Sequence, residues 1–448
     1  MSVAGLKATR RGTLLIPFVL GCAVLGDRAV VGFATGGRGA LGLVSVAAPL
    51  VAVATVVRYG SRRSLGFLAH PAFVWGIAPY LALTALLPVF GVMFYGFPER
   101  TLFSITGATS ALSFVVIGAA LSSRDDRAWW RWLLLAIAIE LVYATGQTVY
   151  LTRGPGWDLF TPFHQWDLSL QMFYGQLVQA RGTGLYFNPN ELGFWAGVAA
   201  ILSWTMLPPR LRGVGVSFSV LTLFLSQSRG ASVALVAVLI VGAVLSVARR
   251  PAGLSTLFRA VLSFGVAGLV AAVAVLAIEP SGTLVGRFGA LLDVVTQGPR
   301  AVPNLAGRLD YWAAVVDLNA VYPWGTWGPP EMVLGTAVDS SWFQTFAQGS
   351  VPYAASLALL VVAPLAIRDS SFGRALVLVA VLVGVAGLSQ TPLSYPAIFV
   401  FWMLLGAGLQ SSVVARISAR ALVREPGAVR VIPVDGDGVW GPRASRSP

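Results

Sequence analysis

Runs of about twenty consecutive apolar residues recur along this chain, and their length leaves essentially one fold class open. Such a run crosses a hydrocarbon core about 30 Å thick, where a helix satisfies its own backbone hydrogen bonds. Twelve spans are read, over residues 12–26, 40–57, 70–94, 102–122, 131–150, 191–207, 213–226, 231–247, 258–278, 350–367, 373–388 and 395–413. With 56% hydrophobic and only 11% charged residues, the chain has too few polar groups to cover a soluble surface. Its mean hydropathy of +0.77 agrees. The expectation is an all-α, polytopic membrane bundle forming one domain over 1–413, followed by a basic tail, 414–448. That tail is rich in Arg, Pro, Gly, Asp and Ser and too poor in apolar residues for a core, so disorder is expected.

The arginines orient the bundle. Of the 31 basic residues, 22 fall on one side of the spans and nine on the other. Short loops rich in Lys and Arg stay cytoplasmic. Lys7, Arg10 and Arg11, then Arg58, Arg62 and Arg63, mark that side, as do Arg124, Arg127, Arg131, Arg210 and Arg212. Arg249, Arg250, Arg259, Arg368, Arg374 and the tail complete it, so both termini are expected in the cytoplasm of a cell with the chain in its inner (plasma) membrane. The net charge of +13 is then an orientation signal. No basic stretch is interleaved with stacking aromatics, and nucleic acid is not an expected partner. Membrane lipids are, and the tail's arginines suit anionic headgroups.

The first apolar run follows basic residues but lacks a small-residue cleavage site, which reads as a retained helix. Cys22 is the single cysteine, and His70 and His164 are the two histidines, so neither a thiolate nor a histidine-cluster metal site is available. No internal repeat of the kind that builds inverted-repeat transporters is apparent.

Polar chemistry concentrates in two long loops on the arginine-poor side, 152–190 and 279–349, and in the turn from Ser226 to Gly230. The first loop carries Trp157, Asp158, Phe160, Phe163, His164, Trp166 and Asp167, which suit either a membrane interface or sugar stacking. It ends in Arg181, Gly182, Thr183, Gly184, Leu185, Tyr186, Phe187, Asn188, Pro189, Asn190, Glu191, Leu192 and Gly193. The glycines allow close backbone approach, Asn190 is a candidate N-cap, and a helix start facing water offers amides to an anion. Arg229, in Ser226–Ala231, is either an interfacial snorkel or a ligand-binding group. The second loop has helical periodicity over 283–295 and 305–320, the latter bearing Arg308, Asp310, Tyr311 and Trp312. It breaks at Pro323–Pro330 and returns through Asp339, Ser340, Ser341 and Trp342 to Gly349. Asp339 is either a proton acceptor or a helix cap. Glu140, near the middle of the fifth span and expected far from these loops, is a functional candidate by depth alone, or a neutral group bonded to a neighbouring helix.

The ordered set resembles the O-antigen ligase and polymerase family of polytopic glycan-transfer proteins. It comprises Arg181 with Gly184–Gly193, then Ser228, Arg229 and Gly230, then Arg308 with Trp312, then Pro323–Gly328 and Asp339–Gly349, together covering about 180–365. The first five spans carry no resemblance. Ligases of that family have a histidine where this chain has Asp339 and Ser340. The resemblance implies a GT-C-like helical fold with an active site facing away from the cytoplasm. It also implies transfer of a glycan from an undecaprenyl-diphosphate carrier to a glycan or lipid acceptor, without nucleotide sugar, cofactor or required metal. Independently of it, guanidinium forks bind phosphate oxygens bidentately and keep their charge. Arg181, Arg229 and Arg308 are the expected diphosphate clamp and Asp339 the expected base. Asn188, Asn190, Ser228, Trp312 and Ser340 are the expected substrate contacts. The competing classes are a multi-pass transporter or flippase, with a mid-membrane site on broken helices, and a hydrolase or Mg²⁺ site built on Asp310, Glu331 and Asp339. A scaffold without activity is the remaining alternative.

Overall fold

The computed structural model describes residues 15–24, 43–95, 98–122, 129–153, 181–186, 188–249, 253–278, 283–328, 330–335, 338–368 and 372–424. Among them no strand occurs. The helices are α1 (Leu15–Val24), α2 (Leu43–Tyr59), α3 (Ala78–Tyr95), α4 (Pro98–Leu121), α5 (Trp129–Arg153), α6 (Pro189–Met206), α7 (Pro209–Ser226), α8 (Arg229–Arg249) and α9 (Gly253–Ile278). They continue with α10 (Thr283–Gln297), α11 (Pro303–Val321), α12 (Ser341–Val362), α13 (Gly373–Ala386) and α14 (Ile398–Arg424). A π-helical segment, Ala72–Ile77, leads into α3. The all-α bundle expected from the sequence is what the chain forms.

Four helical stretches, Ala72–Phe94, Arg131–Val149, Ser341–Ile367 and Ile398–Ser418, are long and apolar enough to cross a membrane. Shorter apolar helices stand at further expected positions, and the last helix runs past residue 413 to Arg424. Residues 414–424 are thus helical and not part of a disordered tail as expected; the rest of that expected tail, 425–448, and the aromatic part of the first loop, 154–180, lie outside the described residues.

Apolar side chains line the outside as well as the inside. On α2, Val46, Leu50, Val53 and Val57 are all exposed, at spacings that put them on one helix face. Val233, Val236, Ile240 and Val244 repeat the pattern on α8, and Leu262, Val266, Leu269 and Val273 on α9. Contiguous apolar stripes of this length need a partner other than water, which a lipid phase supplies.

Helix α6 is buried on nearly every side from Pro189 to Ser203, with Trp195 1% exposed, so it is the axis around which the rest assemble. It packs on α7, α8 and α13; α7 also contacts α5 and α9. A second group, α2, α3, α4 and α14, is built on the α4–α14 pair, where the backbones approach closely, and meets the first through α13 and α14. A Cβ on Gly118 would collide with the Met403 carbonyl and one on Gly406 with the Val115 carbonyl. Small residues replace hydrophobic drive with close van der Waals contact between helices in lipid. Gly118→Ala is expected to cost about 2 kcal/mol as overpacking, read as a lower midpoint of heat unfolding of the purified protein in detergent.

Helix α12 is interrupted. Gly349 and Ser350 leave helical geometry, Ser350 at φ 55°, at the boundary the sequence places before the tenth span. The break frees carbonyls, which another segment takes up: Thr326 N–H donates to Ala347 O (2.8 Å) and Trp327 N–H to Gln348 O (2.9 Å). Gly325 lies so close to Gln348 that a Cβ would not fit. The glycine-rich turn after α11 is thus shaped to cap a broken helix. Its Trp327 ring packs edge-on against Phe94 of α3, 5.0 Å between centroids.

Candidate active site

Two chain segments that look like loops in the sequence are packed inside the bundle. Arg181 to Tyr186 are all buried, and they lie along α5. Gln147 Oε1 accepts from Thr183 N–H (2.8 Å) and Gly184 N–H (2.9 Å), while its Nε2 donates to Gly184 O (2.7 Å). Seven residues earlier, two helical turns down the same face, Glu140 Oε2 accepts from Leu185 N–H at 3.0 Å. Glu140 is therefore not remote from the loops, as its depth in the span suggests. The segment comes down to meet it, and the Glu140 Oε1 atom has no hydrogen-bond partner among the described residues. Gly184, at φ 62°, makes this descent possible, since a side chain there would overlap the Glu140 carboxylate.

The segment anchors Arg181. Its Nε donates to Ser226 O (3.0 Å) at the end of α7, and Nη2 reaches Asn190 Oδ1 (3.4 Å) at the start of α6. Helix α7 stops because Gln227 adopts a left-handed conformation, turning its N–H back to Phe224 O at 3.0 Å. That turn delivers Ser228 and Arg229 to the same place. Ser228 Oγ donates to Asn190 Oδ1 (3.2 Å) and accepts from Gln390 Nε2 (3.0 Å). Gly193 of α6 faces Ser228 and Gly230 faces Gln390 and Ser389 at distances that exclude any side chain.

The connection between α13 and α14 closes the other side. Gln390 O accepts from Ser341 N–H (2.9 Å), Ser389 O accepts from Arg308 Nη1 (3.1 Å), and Arg308 Nη2 pairs with Asp339 Oδ2 (3.4 Å). One continuous polar chain thus runs Arg181, Asn190, Ser228, Gln390, Ser389, Arg308, Asp339. Arg229 lies within electrostatic reach of Arg308. It is half-buried and forms no hydrogen bond or ion pair with the described residues. Two guanidinium groups within electrostatic reach, one with no counter-charge among the described residues, suit a multiply charged anion.

The sequence-predicted residues divide into three groups. Arg181, Asn190, Ser228, Arg229, Arg308 and Asp339 are brought together. Asn188 and Ser340 are engaged as caps: Asn188 Oδ1 accepts from Asn190 and Glu191 N–H while its Nδ2 donates to Glu191 Oε1 (2.9 Å). Asn188, not Asn190, is the N-cap of α6, and the amides expected to receive an anion there are consumed by it. Ser340, rather than Asp339, caps α12, accepting from Phe343 N–H (3.3 Å) and donating to Gly387 O (2.9 Å). Trp312 stacks on Phe343, 4.8 Å between centroids and 11° from parallel, beside this region. Asp310 pairs instead with Arg300 at 3.5 Å on the solvent side. Among the described residues no group of three acidic, His or Cys side chains is placed to hold a metal ion.

Ser389, Gln390 and Tyr395 were not singled out by sequence. They sit in a short connection whose only sign is its Ser-Gln-Thr-Pro composition. Tyr395 is buried and packs edge-on against Phe194 of α6, 5.8 Å between ring centroids. No protein-family profile matches the chain, and no curated protein matches it in sequence.

Proposed function

We propose that this chain is a membrane glycosyltransferase with about twelve spans that moves a glycan from an undecaprenyl-diphosphate carrier to an acceptor hydroxyl outside the cytoplasm, as a polysaccharide polymerase or ligase of the cell envelope. The observation that carries this reading is Arg229, which has no partner among the described residues, within electrostatic reach of Arg308, itself joined to Arg181 by one polar chain. Arg229 and Arg308 hold the diphosphate, and buried Arg181 backs them with positive charge and fixes Asn190. The acceptor oxygen bonds to the anomeric carbon as that carbon's bond to the diphosphate oxygen breaks. The departing electron pair is stabilised by the guanidinium groups, and the hydroxyl proton passes to Asp339, giving inversion. Arg308 holds the Asp339 carboxylate in place.

A transporter needs broken-helix backbone open to its substrate. The carbonyls of Ala347 and Gln348 at the α12 break are already occupied by the Thr326 and Trp327 amides, which weighs against that alternative. Deleting the gene tests the proposal through the carrier lipids that accumulate. Single lipid-linked repeat units are expected for a polymerase and finished lipid-linked polymer for a ligase. Unchanged carrier lipids with a different solute failing to cross the membrane would reject transfer in favour of transport.

A further inference from the structure

The polar chain across the candidate active site has a direction. A guanidinium can only donate, so the contact from Arg181 Nη2 at 3.4 Å fixes Asn190 with its side-chain oxygen toward it. The same oxygen takes the one proton of Ser228 Oγ, at 3.2 Å, which leaves that hydroxyl an acceptor on its other side. Gln390 must therefore present its Nε2 to Ser228, at 3.0 Å, and its Oε1 is left over. Gln390 is only 4% exposed, and Oε1 has no hydrogen-bond partner among the described residues. A buried acceptor of this kind costs stability until a donor reaches it.

The other unspent groups beside it donate. Ser389 stands between the start of α8 and Arg308: its carbonyl accepts from Arg308 Nη1, and its Oγ would lie 2.6 Å from a Cβ on Gly230. Its hydroxyl forms no hydrogen bond among the described residues, and neither does Arg229, the neighbour of Gly230. Ionised phosphate oxygens accept and do not donate, so Arg229, Arg308 and the Ser389 hydroxyl suit them. An amide oxygen does not. Gln390 Oε1 calls for a group of the opposite kind on the same ligand, and a sugar carries such groups as hydroxyls.

We propose that Gln390 is a specificity-determining residue, its Oε1 accepting a hydrogen bond from a hydroxyl of the sugar that adjoins the diphosphate, so that the site tells a glycosylated carrier from a bare one. This role rests on the glycosyltransferase reading of the same site. It also favours turnover: the spent carrier has lost the sugar, leaves Oε1 unpaired again and is held less tightly than the substrate.

The test measures the affinity of the purified full-length chain for inorganic pyrophosphate, for undecaprenyl diphosphate, and for the lipid-linked glycan extracted from the deletion strain. The native chain is expected to hold the lipid-linked glycan about tenfold or more tighter than undecaprenyl diphosphate, because a site built to pair a hydroxyl rejects the analogue without it. Q390M, similar in length but without the amide, is expected to bring the two lipid affinities within about twofold of each other. Equal affinity of the native chain for the two lipids overturns the subsite, whether or not the variant folds. So does a Q390M chain that weakens both lipids alike and keeps the preference, which would make Gln390 only a support for the turn at Ser228. R229Q separates this role from the reading beneath it. Pyrophosphate binding is expected to fall in R229Q; undiminished binding rejects the diphosphate site, and the subsite with it. Loss of pyrophosphate in R229Q with the lipid preference intact in Q390M rejects the subsite alone.

Discussion

Arg229→Ala is expected to lower glycan transfer on the order of 100-fold or more at unchanged protein level, measured as envelope polymer formed per unit of protein in a complemented deletion strain. The magnitude follows from its position. Arg229 is half-buried and lacks a counter-charge among the described residues, so its interaction with a departing diphosphate is strengthened by low local polarity and opposed by no competing salt bridge. Arg229→Lys is expected to recover little, because a single ammonium cannot present two parallel donors to phosphate oxygens. Arg300→Ala, on a surface pair 80% and 70% exposed, is expected to leave transfer within about twofold. Comparable losses in both variants would show that the measurement follows general charge and not this site.

Gly184→Val is expected to remove most of the folded protein, a destabilisation of about 3 kcal/mol or more, read as the monodisperse fraction in detergent chromatography. Three effects coincide there. The backbone is at φ 62°, a Cβ overlaps the Glu140 carboxylate, and the Leu192 side chain lies 2.9 Å from where that Cβ would stand. Displacing the segment also strips Leu185 N–H from Glu140 and breaks the three Gln147 bonds to Thr183 and Gly184. Gly265→Val, at a position with nothing within 4 Å, is expected to be tolerated and controls for a valine in a glycine's place.

The helices were legible in the sequence because hydropathy acts locally: a run of apolar side chains marks its own helix whatever it packs against. The helical segments of the second long loop were legible for the same reason, by periodicity, and α10 and α11 stand where it put them. Gly349 marked the α12 break because it ends a polar segment and begins an apolar one. What the sequence did not carry was depth. Arg181 to Tyr186 read as a solvent loop from their glycines and polar groups, yet they are buried because Gln147 and Glu140, two turns apart on α5, supply the hydrogen bonds that water would otherwise make. Their seven-residue spacing was visible, but nothing local says what comes to meet it. Caps were misassigned for a similar reason: Asn188 and Asn190 are chemically equal candidates, and only the backbone angle at Asn188 makes it the cap. Gln390 was missed because a lone amide in a short connection has no pattern until the start of α8 packs against it.

The clasp between the turn at Thr326–Trp327 and the interrupted α12 has a mechanical consequence. Peeling that turn away strands the Ala347 and Gln348 carbonyls, at a cost of several kcal/mol wherever water cannot reach them. Thermal motion does not offer that freely. The N-terminal half of α12, with Ser340 pinned to Gly387 and Ser341 to Gln390, therefore behaves as a fixed anvil, and any opening motion has to hinge somewhere else in the molecule.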